Sequence, residues 1–168
     1  AATAARLLPD GAIIRLEKEF LDTEGDNGLF VDEQWRLRDL INFTLLVSSN
    51  DGANAIASIA GAVEKGTESY SAGRDTFIEK MNSQAKEIGM KKSFFYNETC
   101  LDPELLLSGG YGTAHDVALL LSYVLEHEPE LVESTRQSHQ EFQSLDNISH
   151  SATNTNIAIE TVPGLIAS

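Results

Sequence analysis

Two consecutive helical patterns joined by a short polar bend constrain the fold of this chain more than any other feature. Apolar side chains recur from Leu37 to Leu45 at the i, i+3, i+4, i+7, i+8 spacing of one helical face. Small residues from Ala53 to Ala60 predict a second, buried helix that neighbouring helices can approach closely. The bend is Ser48-Ser49-Asn50, and Asp51 is a candidate N-cap for the second helix.

Two further helices are predicted after residue 73. An apolar helical pattern runs from Phe77 to Ile88 after a polar connection over residues 66–73, and Gly89 can end it. Thr113 and Asp116 resemble a capping box at the start of a fourth helix. We expect that helix to bury one apolar face, made of Val117, Leu120, Leu121, Val124 and Leu125.

Short strands are predicted between these helices. Residues 11–20 and 29–37 have the alternation of a small β-hairpin, and residues 93–96 form an aromatic extended segment. Residues 141–152 indicate two edge strands around a turn at Asp146-Asn147, after a short helix over residues 130–137. The predicted fold class is mainly α with small β-hairpins.

Composition excludes several functions. The 168 residues include 12 Lys and Arg against 26 Asp and Glu, which gives a net charge of −14. A phosphate backbone would repel such a surface, so nucleic acid is not expected as a partner. No apolar run approaches the ~20 residues that cross a bilayer. The first ten residues do not read as a signal peptide, so we expect any export signal to lie upstream.

The bend itself carries the candidate chemistry. Ser48 and Asn50 project a hydroxyl and an amide from a turn between two helices. Ser and Asn are also common at helix ends because they cap backbone groups, so the triplet alone favours a structural role.

Several collinear segments change that interpretation. The segments are residues 37–57, which contain Ser48-Ser49-Asn50, then 81–90, 95–102, 111–118, and 154–156 with 162–165. In this order they resemble the S-x-N signature, "MNxKAKELGM", "FxNPTGLD", "YSTAYDMA" and the stretch before the third signature of one family, the serine-type D-alanyl-D-alanine carboxypeptidases among the low-molecular-mass penicillin-binding proteins. The resemblance covers nearly the whole chain.

The resemblance implies a fold, and it implies that this chain contains only one of the family's three signature motifs. It implies the helical lobe of the β-lactamase/DD-peptidase (transpeptidase-like) fold, with residues 1–168 as a single partial domain. The family uses S-x-x-K, S-x-N and K-T-G. This sequence has no K-T-G, and no Ser precedes Ser48. We therefore expect an internal section of the enzyme that is inactive by itself.

The resemblance also implies the roles of the candidate catalytic residues. A serine of the intact enzyme would attack the penultimate D-alanine of a peptidoglycan stem peptide and form an acyl-serine intermediate. Ser48 would extend the proton path to the leaving amine, and Asn50 would hold a substrate carbonyl and the catalytic lysine. β-Lactams would acylate the same serine. No cofactor and no metal are implied.

Location and partners follow from the same resemblance. The intact enzyme is expected outside the cytoplasmic membrane, at the periplasm or cell surface, and membrane contact is expected only through segments that this sequence does not contain. Without the missing sheet, the helices would expose an apolar face that could support self-association. The alternatives are a non-catalytic helical interaction module, or a β-lactamase or transpeptidase.

Other chemistry-bearing residues have simpler interpretations. Ser83 and Lys86 fit S-x-x-K, but they follow the S-x-N triplet and are expected on a solvated helix face. The acidic segment with Asp22, Glu24, Asp26 and Glu33 approximates a calcium loop, yet its glycine is one place late, which favours a solvated turn.

Three histidines and the one cysteine complete this set. His127, His139 and His150 are expected at the surface. Cys100 stands where the resembled family has Gly, so a positive φ there would strain it. It is expected to be a half-buried packing residue.

Overall fold

Helices dominate the chain, as the hydrophobic periodicity predicts, and the strands are short. The computed structural model describes residues 1–25, 27–104, 106–162 and 165. The helices are α1 (Ala2–Leu7), α2 (Leu37–Val47), α3 (Asn50–Lys65), α4 (Tyr70–Ile88) and α5 (Ala114–His127). The strands are β1 (Ile13–Arg15), β2 (Gln34–Arg36), β3 (Phe94–Phe95), β4 (Gly110–Tyr111), β5 (His139–Gln143) and β6 (Ser149–Thr153).

Within the described residues, the strands pair as antiparallel two-stranded ribbons, β1 with β2, β3 with β4, and β5 with β6. The predicted hairpins at residues 11–37 and 141–152 are therefore confirmed, and Asn147 adopts the positive φ (62°) of a turn residue. The aromatic segment pairs with β4, with Phe94 opposite Tyr111 and Phe95 opposite Gly110. The short helix after Pro129 is a pair of 3₁₀ turns, Pro129–Val132 and Ser134–Arg136.

By their internal packing, the residues form two units. The first comprises Ala1, Leu8–Ile56 and Pro129–Ser168, and the second comprises Ala2–Leu7 and Ala57–Glu128. Among the described residues, no helix has both the length and the apolar character that a membrane span needs.

The first unit has an aromatic core between α2 and the two ribbons β1–β2 and β5–β6. Trp35 is fully buried, and its ring centroid lies 5.4 Å from that of Phe43 and 4.9 Å from that of His150. Phe142 packs edge-on against Phe43 at 5.7 Å. The side chains that point inward from the strands pack against the apolar face of α2. These contacts fix the position of that helix.

The second unit depends on close helix packing. A Cβ added at Gly61 would lie 1.9 Å from the carbonyl oxygen of Gly73, so α3 and α4 approach each other through these glycines. The small-residue prediction for α3 is confirmed. The prediction of a polar connection over residues 66–73 was wrong from residue 70 onward, because α4 already begins at Tyr70. Ser69 is its N-cap, and the Ser69 hydroxyl accepts from the Ala72 N–H.

Helix α5 differs from its prediction on one face. Thr113 is its N-cap, as expected, and its hydroxyl accepts from the Asp116 N–H at 3.2 Å. Val124 is buried, but Val117 is 57% exposed and Leu125 37% exposed. The expected buried face is therefore wrong for these two residues, since periodicity marks an apolar face without showing that anything covers it.

Candidate functional site

The bend between α2 and α3 presents its first and third residues outward and its middle residue inward. Ser48 ends α2 in the left-handed conformation (φ 57°, ψ 48°), with its N–H bonded to the Thr44 carbonyl. Ser48 is exposed and Asn50 is half-buried, whereas Ser49 is only 2% exposed. The S-x-N triplet thus places a hydroxyl and an amide at the surface of the first unit.

Ser49, and not Asp51, caps α3. Its hydroxyl accepts from the Gly52 N–H at 3.0 Å, and its carbonyl accepts from the Ala53 N–H at 3.1 Å. The sequence prediction of an Asp51 cap was wrong because α3 begins directly after the left-handed Ser48 and Ser49, which places the cap two residues earlier than expected. The cap satisfies a helical donor that would otherwise be unpaired.

The residues after the cap are tied to the acidic segment that follows β1. The side-chain N–H of Asn50 donates to the Glu24 carbonyl at 2.7 Å. The hydroxyl of Thr23 donates to the carboxylate of Asp51, which is 4% exposed. A carboxylate in the first turn also interacts favourably with the helix dipole. The acidic segment therefore supports the candidate site.

The close contact between α2 and α3 favours glycine at position 52, because a larger residue would displace the Thr44 side chain. A Cβ there would lie 2.1 Å from the hydroxyl oxygen of Thr44. This tight crossing holds the last turn of α2 against the first turn of α3. Sequence analysis placed the bend correctly but gave no signal for this contact or for the Thr23 and Glu24 hydrogen bonds.

A second segment lies beside the same end of α2. The N–H of Thr155 donates to the carbonyl of Leu46 at 3.2 Å, two residues before Ser48. The amide of Asn154 donates to the carbonyls of Thr135 and Gln137 at 2.8 and 2.9 Å. The segment 154–156, which resembles the stretch before the third signature, is thus held near the bend. Pro163 and Gly164 of the same resemblance lie outside the described residues.

His150 and Glu33 are buried and paired, so two expectations were wrong. His150 was expected at the surface but is 6% exposed, and Glu33 was expected in a solvated turn but is 2% exposed. The Nε2 atom of His150 lies 2.6 Å from Oε1 of Glu33. The other Glu33 oxygen accepts from the Phe30 N–H at 3.1 Å. Asp26 of the acidic segment lies outside the described residues.

The remaining candidates lie in the second unit. Ser83 and Lys86 are both exposed on α4, as a solvated helix face requires. Cys100 is exposed rather than half-buried, and it has the positive φ (59°) that the glycine comparison indicated. Partial desolvation of the thiol and the nearby Glu98 carboxylate raise the pKa of Cys100, which disfavours the reactive thiolate. Among the described residues, no group of three or more His, Cys, Asp or Glu side chains could hold a metal ion.

Proteins of known function are similar to this chain in sequence. The family model of D-alanyl-D-alanine carboxypeptidases, peptidase family S11, matches residues 22–165. The chain is 29% identical over 106 residues to the D-alanyl-D-alanine carboxypeptidase DacF of Bacillus subtilis, an alignment that covers 62% of this chain and 24% of that protein.

Solved structures share the fold. A D-alanyl-D-alanine carboxypeptidase from Mycobacterium tuberculosis superposes with a TM-score of 0.82 at 23% identity, covering 99% of this chain and 58% of that one. A mutant of a Streptomyces DD-transpeptidase gives a TM-score of 0.81 at 18% identity, covering 99% of this chain and 66% of that one. The predicted fold class is therefore confirmed, and the chain spans less than two thirds of the length of these relatives.

Proposed function

Because the chain belongs to the D-alanyl-D-alanine carboxypeptidase family, we propose that it is part of a serine-type enzyme that removes the terminal D-alanine from peptidoglycan stem peptides. In this proposal, residues 1–168 form a partial domain, the helical lobe, and supply the S-x-N element. The S-x-x-K and K-T-G elements belong to segments that this sequence does not contain.

One observation carries the proposal. Ser48 and Asn50 face outward from a bend that Ser49, Asp51 and Gly52 hold in place. A left-handed residue is a common way to end a helix, so the backbone of Ser48 has a structural role, but its exposed hydroxyl has no hydrogen-bond partner among the described residues. The geometry therefore supports a role in which the hydroxyl of Ser48 and the amide of Asn50 meet a ligand.

The chemistry of the two side chains fits acyl transfer. A serine hydroxyl donates and accepts a hydrogen bond at once, so Ser48 can pass a proton between the catalytic lysine and the departing amine. The Asn50 amide has two N–H groups, one of which binds Glu24. Its second N–H can hold a substrate carbonyl, while its oxygen accepts from the lysine. The acyl-serine forms as the D-alanine amine leaves, and water then hydrolyses it.

The test uses a polypeptide in which these 168 residues are joined to S-x-x-K and K-T-G segments. We expect Ser48→Ala to lower D-alanine release from a peptide ending in D-Ala-D-Ala by about 10² to 10⁴, the usual worth of a proton-transfer group. Asn50→Ala should also reduce release. The matched control is Ser83→Ala, at another exposed serine, which should leave the rate unchanged. Full activity in Ser48→Ala would overturn the assignment.

The 168-residue chain by itself provides a complementary test. Loss of the nucleophile removes most of the activity of such enzymes, so a fluorescent penicillin should leave this chain without a covalent label. A labelled peptide containing Ser83 would contradict both the assignment of Ser83 and Lys86 to a solvated face and the proposed site.

Partners and location follow from the proposed reaction. The substrate is the stem peptide of peptidoglycan, β-lactams compete for the same serine, and the enzyme acts outside the cytoplasmic membrane, where that polymer lies. The exposed Val117 and Leu125 on α5 support the proposed self-association of the isolated chain. Sedimentation velocity over a concentration series tests this, and a monomer at every concentration would overturn it.

A further inference from the structure

A polar groove in the first unit has buried polar atoms that the fold does not satisfy. One hollow of about 390 Å³ is lined by Asn42, Ser134, Gln137, His139 and Gln140 together with Glu133. A second hollow of about 500 Å³ shares Asn42 and Glu133 with it and extends to Arg38, Asp10, Pro129 and Glu130. These volumes lie in the range of small-molecule sites.

Three atoms at the groove have no hydrogen-bond partner among the described residues. They are Nη1 of Arg38, Oδ1 of Asn42 and Oγ of Ser134. Arg38 and Asn42 are four residues apart on α2 and therefore share one face of that helix. Ser134 is 6% exposed. A buried polar atom without a partner costs free energy, so a donor, an acceptor and a hydroxyl that can be either, left unpaired at one groove, indicate a ligand.

The groove wall is held in shape without that ligand. Asn154 donates to the carbonyl of Thr135, inside the 3₁₀ turn that starts at Ser134, and to that of Gln137, just after the turn. On the opposite side, Arg38 is fixed by an ion pair with Asp10 at 2.8 Å. Binding would therefore change the wall of the groove little, whereas the three buried side-chain atoms would turn toward the ligand.

The charges of the lining select the class of ligand. Asp10, Glu130 and Glu133 bring three carboxylates to the groove, where Arg38 pairs with Asp10 and Arg136 pairs with Glu133, so an excess of one negative charge remains. An anionic ligand is therefore disfavoured. The unpaired atoms need one acceptor, one donor, and one group of either kind. Hydroxyl and acetamido groups supply all of these without charge, and apart from Pro129 the described lining residues are polar.

We propose that this groove binds an N-acetylated sugar of the glycan strand to which the stem peptide is attached. The inference rests on the proposed function. Asn42 lies on α2 and Ser48 ends that helix six residues later, an axial rise of about 9 Å. A stem peptide of five residues extends to at most about 17 Å, so a sugar in the groove and a D-Ala-D-Ala end at Ser48 are within reach of one another.

The test is an NMR titration of the ¹⁵N-labelled chain with chitotetraose, a linear tetramer of N-acetylglucosamine. We expect saturable shifts at the side-chain amides of Asn42, Gln137 and Gln140 and at the Ser134 backbone. Maltotetraose, which lacks the acetamido group, should bind at least about ten-fold more weakly. Absence of shifts, or equal binding of both sugars, would overturn the inference.

Variants separate a binding role from a structural one. Ser134→Ala should weaken chitotetraose binding about two- to ten-fold by removing one hydrogen bond, without lowering the melting temperature, because its hydroxyl has no partner in the fold. The control is Ser122→Ala, whose hydroxyl bonds within α5 to the Ala118 carbonyl. Unchanged binding in Ser134→Ala would overturn the assignment. If that variant does not fold, Gln140→Ala replaces it under the same criteria.

A parallel titration distinguishes this inference from the proposed function. In the polypeptide joined to the S-x-x-K and K-T-G segments, with its nucleophilic serine replaced by alanine to prevent turnover, an acylated peptide ending in D-Ala-D-Ala, without sugar, should shift Ser48 and Asn50 and leave Ser134 unaffected. If the peptide shifts the bend and the sugar shifts nothing, the glycan assignment alone is wrong. If the sugar binds and the peptide does not, the proposed role of Ser48 and Asn50 is the one overturned.

Discussion

His150 and Glu33 form a buried pair that joins strand β6 to the residue just before β2, with 2.6 Å between Nε2 of the imidazole and Oε1 of the carboxylate. Their side chains are 5% and 0% exposed. Because Glu33 also accepts from the Phe30 N–H, the pair links the β5–β6 hairpin to the chain that supports the aromatic core.

We expect Glu33→Ala to lower the free energy of unfolding by about 3 kcal/mol, since it leaves the buried His150 and the Phe30 N–H without an acceptor. Urea denaturation followed by the fluorescence of Trp35, the single tryptophan, measures this. The fluorescence probe lies next to the pair, with ring centroids of Trp35 and His150 4.9 Å apart.

A second histidine–glutamate pair in the same unit provides the control. His139 and Glu141 are 2.8 Å apart but have 46% and 63% exposed side chains. Hydrogen bonds from His139 and Ser151 lower the pKa of Glu141. Solvent screens such a pair, so Glu141→Ala should change stability far less. Equal losses in the two variants would show that burial of the first pair is not what stabilises it.

Substitutions of the two serines of the bend should have different effects on the free energy of unfolding. Ser49→Ala removes the N-cap of α3 and should lower the free energy of unfolding by about 1 kcal/mol. Ser48→Ala should change it by no more than about 0.5 kcal/mol, as is usual for an exposed side chain. Chemical denaturation of both variants tests this, and a larger loss in Ser48→Ala would mean that Ser48 has a structural role.

A glycine at position 100 should stabilise the second unit. Cys100 has φ 59°, a left-handed conformation that costs a residue with a Cβ roughly 1 to 2 kcal/mol. Cys100→Gly should recover up to about 1 kcal/mol, which corresponds to a melting temperature about 2 to 4 °C higher. The control is Cys100→Ala, which removes the thiol but keeps the Cβ and should bring no gain. An equal gain in both variants would attribute the effect to the thiol.

Local sequence patterns predicted where the helices lie better than they predicted which helix faces are buried. Periodicity from Leu37 and the small residues after Ala53 identified α2 and α3, because both signals come from neighbours along the chain. The face of α5 was wrong at Val117 and Leu125, since an apolar stripe does not reveal what covers it.

In the candidate site too, the local feature was predicted and the long-range contacts were not. The S-x-N bend was found in the sequence, but its supports depend on residues distant along the chain. Thr23 and Glu24 reach it from the segment after β1, and Thr155 reaches Leu46 from beyond β6. The burial of His150 likewise depends on Glu33, 117 residues earlier. Single-sequence patterns do not encode such long-range pairs.

The pH dependence of the second unit should reflect Asp116. Burial raises the pKa of this carboxylate, but hydrogen bonds from the Lys92 N–H at 2.7 Å and the Ser93 hydroxyl at 2.8 Å lower it, and the net pKa lies below the usual Asp value. A carboxylate with a lowered folded-state pKa stabilises the fold above its unfolded pKa of about 3.9, and that contribution is lost as the pH falls through the folded pKa.

We therefore expect the free energy of unfolding to decrease in acid, and Asp116→Asn to be less stable at neutral pH with a flatter acid decrease. Urea denaturation at neutral pH and at steps down to about pH 3 measures both slopes. Asp75→Asn, at an exposed aspartate of α4, controls for the loss of one negative charge. Parallel pH profiles for Asp116→Asn and the unmodified chain would show that the hydrogen bonds from residues 92 and 93 do not stabilise the ionised carboxylate.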